Sequence, residues 1–163
     1  IILQMKYLLF IVLAKLTISL QLVAKSDLST TILTPGYSTS LSDFHNIYQN
    51  QYLGFGTYWI WSNEGMNTPF GRQITFQTLF YTNCNGPITL NVTADQSFIV
   101  YVDGNMVGRG DNYVRVYSFP LKLTCGSHNL TISVAKGASS LGPGLIFAAY
   151  QDQSKCFNCN ANG

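Results

Sequence analysis

The sequence predicts an all-β fold, a single antiparallel β-sandwich or jelly roll of about eight strands. Three observations predict it. Ile88, Leu90, Val92 and Ala94 alternate with Thr89, Asn91 and Thr93, and Leu130, Ile132 and Val134 alternate with Asn129, Thr131 and Ser133. A period of two puts one set on a buried sheet face and the other in solvent. Val102-Asp103-Gly104-Asn105 is a hairpin signal, because Asp-Gly fills the two positions of a type I′ turn that need positive φ. Beyond the N-terminus no segment carries a 3.6-residue apolar period, while short β-prone runs bounded by turn residues recur.

Residues 1–24 read as a secretion signal with upstream residues. Met5-Lys6 is the positive start, 7–14 the apolar stretch, and Thr17, Ser19 and Ala24 mark where cleavage falls. Residues 1–4 precede the first Met and read as upstream translated sequence. Lys15 interrupts the apolar run, which is short of the ~20 residues a bilayer span needs. Residues 25–56 form an N-terminal arm, β-prone over 28–34, and a long polar connection broken at Pro35-Gly36. The sandwich occupies 57–151, with strands expected at 58–62, 73–81, 88–94, 97–103, 113–121, 129–135 and 145–151. Asp95-Gln96 is a turn in which the Asp side chain bonds backbone amides. Residues 152–163 are a tail holding Cys156-Phe157-Asn158-Cys159.

Composition narrows the function. Charged residues make up 10% of the 163, against roughly 25% in an average soluble domain. The surface is therefore covered by Ser, Thr, Asn, Gln and Tyr, which suits extracellular matrix, glycan contact or self-association. A net charge of +2 without a Lys/Arg cluster excludes the phosphate-neutralising patch of a nucleic-acid partner. Four cysteines fit an oxidising compartment. The pairing expected is Cys84–Cys125, at equivalent places before two strands, and Cys156–Cys159, tying the tail. Asn91-Val92-Thr93 and Asn129-Leu130-Thr131 are N-glycosylation acceptors on solvent-facing strand positions.

Tyr58-Trp59-Ile60-Trp61, the run 88–104 (ITLNVTADQSFIVYVDG) and Gly142-Pro143-Gly144-Leu145-Ile146 resemble the galactose-binding-like β-sandwich modules over about residues 57–150. Such modules occur beside glycoside hydrolases and in many extracellular proteins. The resemblance implies the sandwich fold; turns and core positions carry little about function.

Candidate binding residues follow from residue type. Trp59 and Trp61 share a strand face and either stack on sugar rings or fill the core. Tyr113, Arg115 and Tyr117 alternate with Val114 and Val116, and Arg109, Asp111 and Asn112 lie just before them. If the valines face inward, planar and cationic groups face outward, as in a glycan site or a subunit interface. Asp95, Asp103 and Asp111 lack the spacing of a calcium loop, so no metal or other cofactor is expected. With two His and one Glu, Glu64, the chain shows neither a nucleophile–base pair nor paired carboxylates, so no catalysis is expected. The first expectation is a secreted structural or adhesive glycoprotein that self-assembles into a fibre, coat or matrix, its arm adding a strand to a neighbour. The alternative is a lectin-like carbohydrate-binding module. The partners are accordingly copies of itself or extracellular glycans.

Overall fold

The computed structural model describes residues 20–42, 57–112, 115–138 and 143–159. Over these residues the chain forms strands and two short 3-10 turns, with no α-helix. The strands are β1 (Leu20–Lys25), β2 (Thr31–Ile32), β3 (Thr39–Leu41), β4 (Ile60–Ser62), β5 (Gln73–Thr82), β6 (Cys84–Ala94), β7 (Phe98–Val102), β8 (Asn105–Gly110), β9 (Tyr117–Leu123), β10 (Gly126–Ala135), β11 (Leu145–Asp152) and β12 (Phe157–Asn158). The strands outside the expected set are β1, β3 and β12, which are short or terminal, and β8, the second arm of the Asp103-Gly104 hairpin.

Two antiparallel sheets face each other. The five-stranded sheet runs β2-β5-β10-β7-β8. In the seven-stranded sheet β6 pairs with β9 and β11, and β11 pairs in turn with β1 and β4. β3 lies beside β4, and β12 pairs with the first two residues of β6. Alternation explains the packing. Ile74, Phe76 and Phe80 of β5, Leu130, Ile132 and Val134 of β10, and Phe98, Val100 and Val102 of β7 point inward. They meet Ile88, Leu90 and Val92 of β6 and Leu145, Phe147 and Ala149 of β11 in one core. Fully burying each such side chain stabilises by about 1.5–3 kcal/mol. The two-sheet architecture implied by the galactose-binding-like resemblance is the one observed.

The expected alternation fails in one place for a physical reason. Ile146 and Ala148, on the other face of β11, are also buried, in a second cluster with Trp59. Thr93 pairs with Ile146 and is buried with it, as are Ala94 and Asp95 after it.

The arm is not free. Thr31 and Ile32 pair with Gln77 and Phe76, Leu33 N donates to Thr75 O at 2.8 Å, and Ile32 enters the core. Residues 28–34 thus add an edge to their own sandwich. Residues 20–24, assigned to the signal, lie in β1, where Ala24 is a core residue. The rest of that segment, and 43–56 of the long connection, fall outside the described residues.

The disulfides also differ from expectation: they are Cys84–Cys156 and Cys125–Cys159. β12 explains this. Its two residues hold the tail extended alongside β6, so Cys156 and Cys159 stand about 10 Å apart along the chain. That exceeds the reach of a disulfide. Cys125 follows β9, which pairs with β6, and its N donates to Asn85 Oδ1 at 2.9 Å. The tail drawn along β6 therefore runs past both strand cysteines and gives each a tail partner.

Candidate functional site

The site grows from one hairpin and the crossing that follows it. Asp103 and Gly104 turn β7 into β8 with φ of 50° and 78°, as the Asp-Gly signal predicts. β8 then forms the edge of the five-stranded sheet, and the chain crosses to the other sheet as β9. Gly108 and Gly110 allow β8 to lie against aromatic rings. A Cβ on Gly108 would sit 2.1 Å from Phe119, and one on Gly110 would sit 2.5 Å from Phe98 and 2.7 Å from Tyr117.

Tyr117 anchors the crossing. Its ring meets Phe98 edge-on at 5.4 Å, and its hydroxyl donates to Asp111 Oδ1 at 2.7 Å. The same hydroxyl oxygen accepts from Asp111 N at 3.3 Å. Arg115 places its guanidinium 5.1 Å from the Tyr117 ring centre, and Arg115 N donates to Asn112 O at 3.3 Å. Such a cation–π contact contributes about 0.5–1 kcal/mol at an exposed site.

Beside this anchor, on the solvent face of the five-stranded sheet, lies a concavity of about 410 Å³. Strand register builds it. Arg109, Ile99 and Ser133 form one cross-strand row. Gln73 and Ala135 pair in the next, where Ala135 N donates to Ser97 O at 2.9 Å. Phe98, Gly110, Asp111 and Tyr117 close the end nearest the crossing. The cleft therefore has an apolar floor of Ile99, Ala135 and ring edges. Its polar lining carries a guanidinium, a carboxylate, three hydroxyls and an amide. A sugar ring needs both: donors and acceptors for its hydroxyls, and an apolar patch for its C–H face.

Among the sequence candidates, Arg109, Asp111 and Tyr117 line the cleft. Arg115 and Asn112 stand behind it as contacts of the crossing. Tyr113 and Val114 lie outside the described residues. The outward stripe does not form as expected, because Tyr117 packs against the main core and Val116 against the Trp59 cluster. Trp59 and Trp61 are 1% and 0% exposed, so neither presents a stacking face. Trp61 fills the main core and donates through Nε1 to Thr68 Oγ1 at 3.1 Å. Gln73, Ser97, Phe98, Ile99, Ser133 and Ala135 were not among the candidates. Their signal was available only through register: they lie at neighbouring levels of β5, β7 and β10, with Ser97 just before β7.

Among the described residues, no three or more His, Cys, Asp or Glu side chains gather to hold a metal ion. No helix of these residues is long and apolar enough to cross a membrane.

No protein-family model and no curated protein matches the chain. Similar solved structures include a lectin of Pleurotus ostreatus in its apo form, with a TM-score of 0.49 and 21% identity over 60% of this chain and 29% of the lectin chain. The Pleurotus ostreatus lectin in complex with GalNAc gives a TM-score of 0.47 and 21% identity over 60% of this chain and 30% of that one. A GH2 β-galacturonidase from Eisenbergiella tayi bound to glycerol gives 0.44 and 16% identity over 78% of this chain and 25% of that one. The chain spans less than a third of the length of each of these proteins. The likeness is one of fold alone.

Proposed function

We propose that the protein is a carbohydrate-binding module that holds a saccharide in the cleft beside Arg109, Asp111 and Tyr117. The observation that carries this reading is the union of an apolar floor with charged and hydroxyl groups in one concavity of about 410 Å³. That volume falls within the roughly 300–1,000 Å³ of small-ligand sites. The role is binding without catalysis: among the described lining residues Asp111 is the one carboxylate, whereas glycoside hydrolysis generally uses a pair. Two disulfides support a place in an oxidising, extracellular setting. Self-assembly by strand exchange loses its motive, since the arm already pairs within its own sheet.

A glycan array on the purified protein, followed by titration of the strongest saccharide, tests the reading. Arg109→Ala and Asp111→Ala should each weaken binding about 10- to 100-fold, the range for a hydrogen bond to a charged group. A protein that binds no saccharide, or whose binding is untouched by both variants, refutes it.

A further inference from the structure

We infer that Asn129 is an N-glycosylated residue whose glycan lies over Leu79 and Tyr81, at the end of the sheet face away from the cleft. In the β5–β10 ladder, Asn129 pairs directly with Leu79, and Ser127 pairs with Tyr81. All four lie on the solvent face, since the adjoining His128, Leu130 and Phe80 are buried. Leu79 is 75% exposed and Tyr81 64%. The other outward positions of β5 are Gln73, Thr75 and Gln77, and those of β10 include Thr131 and Ser133. Leu79 and Tyr81 are thus a large apolar strip on a polar face, where an uncovered strip favours association.

The residue beside that strip opens Asn129-Leu130-Thr131. Directly opposed Cβ atoms lie about 5 Å apart and diagonal ones about 7–8 Å, so Leu79 and Tyr81 both fall under the first sugars of a glycan on Asn129. The backbone of Asn129 is clamped: its N donates to Asp103 Oδ1 at 2.8 Å and its O accepts from Asp103 N at 2.9 Å. Its side-chain oxygen is buried with no hydrogen-bond partner. The other acceptor sequence differs. Asn91 Oδ1 takes a hydrogen bond from Ser118 Oγ at 2.7 Å, Thr93 is buried, and the neighbouring Ala148 lies under the Trp59 cluster. No apolar strip there calls for a cover.

The chemistry is a group transfer. Asn129 Nδ2 attacks the anomeric carbon of an oligosaccharide carried on a lipid diphosphate. The N–C bond forms, the C–O bond to the diphosphate breaks, the lipid diphosphate leaves with the electron pair, and the amide proton passes to the transferase. Asn129 lies four residues along β10 from Ser133, about 14 Å, so the attachment point is outside the cleft.

The full chain, secreted from a eukaryotic cell line, tests this. Peptide-N-glycanase in heavy-oxygen water should label Asn129. Removing the glycan should raise hydrophobic-dye fluorescence and concentration-dependent aggregation severalfold, and Thr131→Ala, which abolishes the acceptor, should do the same. The double variant Leu79→Ser/Tyr81→Ser should cancel both effects. An unmodified Asn129 in folded secreted protein overturns the inference. So does deglycosylation without change in dye binding or aggregation, or glycan-bearing protein that still dimerises through Leu79 and Tyr81.

Discussion

His128 Nδ1 lies 2.7 Å from Asp103 Oδ2, joining the start of β10 to the turn of the β7–β8 hairpin. His128 Nε2 donates to Thr124 O at 2.8 Å, and the ring packs 5.5 Å from Phe80. One carboxylate and one imidazole thereby fix the hairpin that carries Arg109 against the strand that carries Ser133.

Asp103 makes that joint sensitive to acid. The Asn129 amide donates to its carboxylate and, with the His128 contact, holds its pKa below the ordinary carboxylate value despite partial burial. A carboxylate depressed in the folded state contributes stability at pH above its unfolded pKa and loses it as pH falls through the folded value. Asp103→Asn keeps a residue tolerant of positive φ and should lower stability near neutral pH by about 1 kcal/mol. It should also lose less than the parent protein on further acidification. Thermal melts at neutral pH and at about pH 3 check this; equal losses in both proteins contradict it.

The glycines of β8 are steric requirements. Gly108→Ala and Gly110→Ala place a methyl into Phe119, and into Phe98 with Tyr117. Each should cost about 1–3 kcal/mol by overpacking. Gly110→Ala should also weaken saccharide binding, because it displaces the Tyr117 that positions Asp111. Denaturant unfolding and titration together separate the two effects, and an unchanged midpoint for Gly108→Ala would refute the packing.

The tail pairing is directly checkable. A non-reducing peptide map should join 84 to 156 and 125 to 159. The sequence separations are 72 and 34, so chain entropy alone assigns each bond roughly 4 kcal/mol. Paired Cys→Ala variants should therefore both lower stability, and a peptide joining 84 to 125 would remove β12 from its place.

Deleting residues 26–35 should destabilise the protein without changing its oligomeric size. The deletion removes Ile32 from the core and breaks the Ser26 N to Phe147 O bond of 2.9 Å. Size-exclusion chromatography beside a melt decides this. A smaller particle after deletion would revive strand exchange between copies.

Much of the fold is legible in the sequence. β5, β6, β7, β10 and β11 each declare themselves by alternation or by continuous apolar character, because a long ladder must bury one face. The Asp103-Gly104 turn is equally legible, since few residue pairs accept its φ values. β1, β3 and β12 are not, being short or embedded in segments with other signals. The alternation that groups Trp59 with Trp61 breaks down because β4 is three residues long and buried on both faces. Half the polar lining of the cleft, Arg109 with Asp111 and Tyr117, is local in sequence and readable there. Gln73, Ser97 and Ser133 meet it only through the register of three strands, which no local pattern encodes.

β1 and β12 both belong to the sheet opposite the cleft. Molecules anchored to a support by either terminal segment would all present the cleft toward the bulk liquid. On such a bead or chip, coating density rather than random attachment geometry would then govern how much ligand is captured.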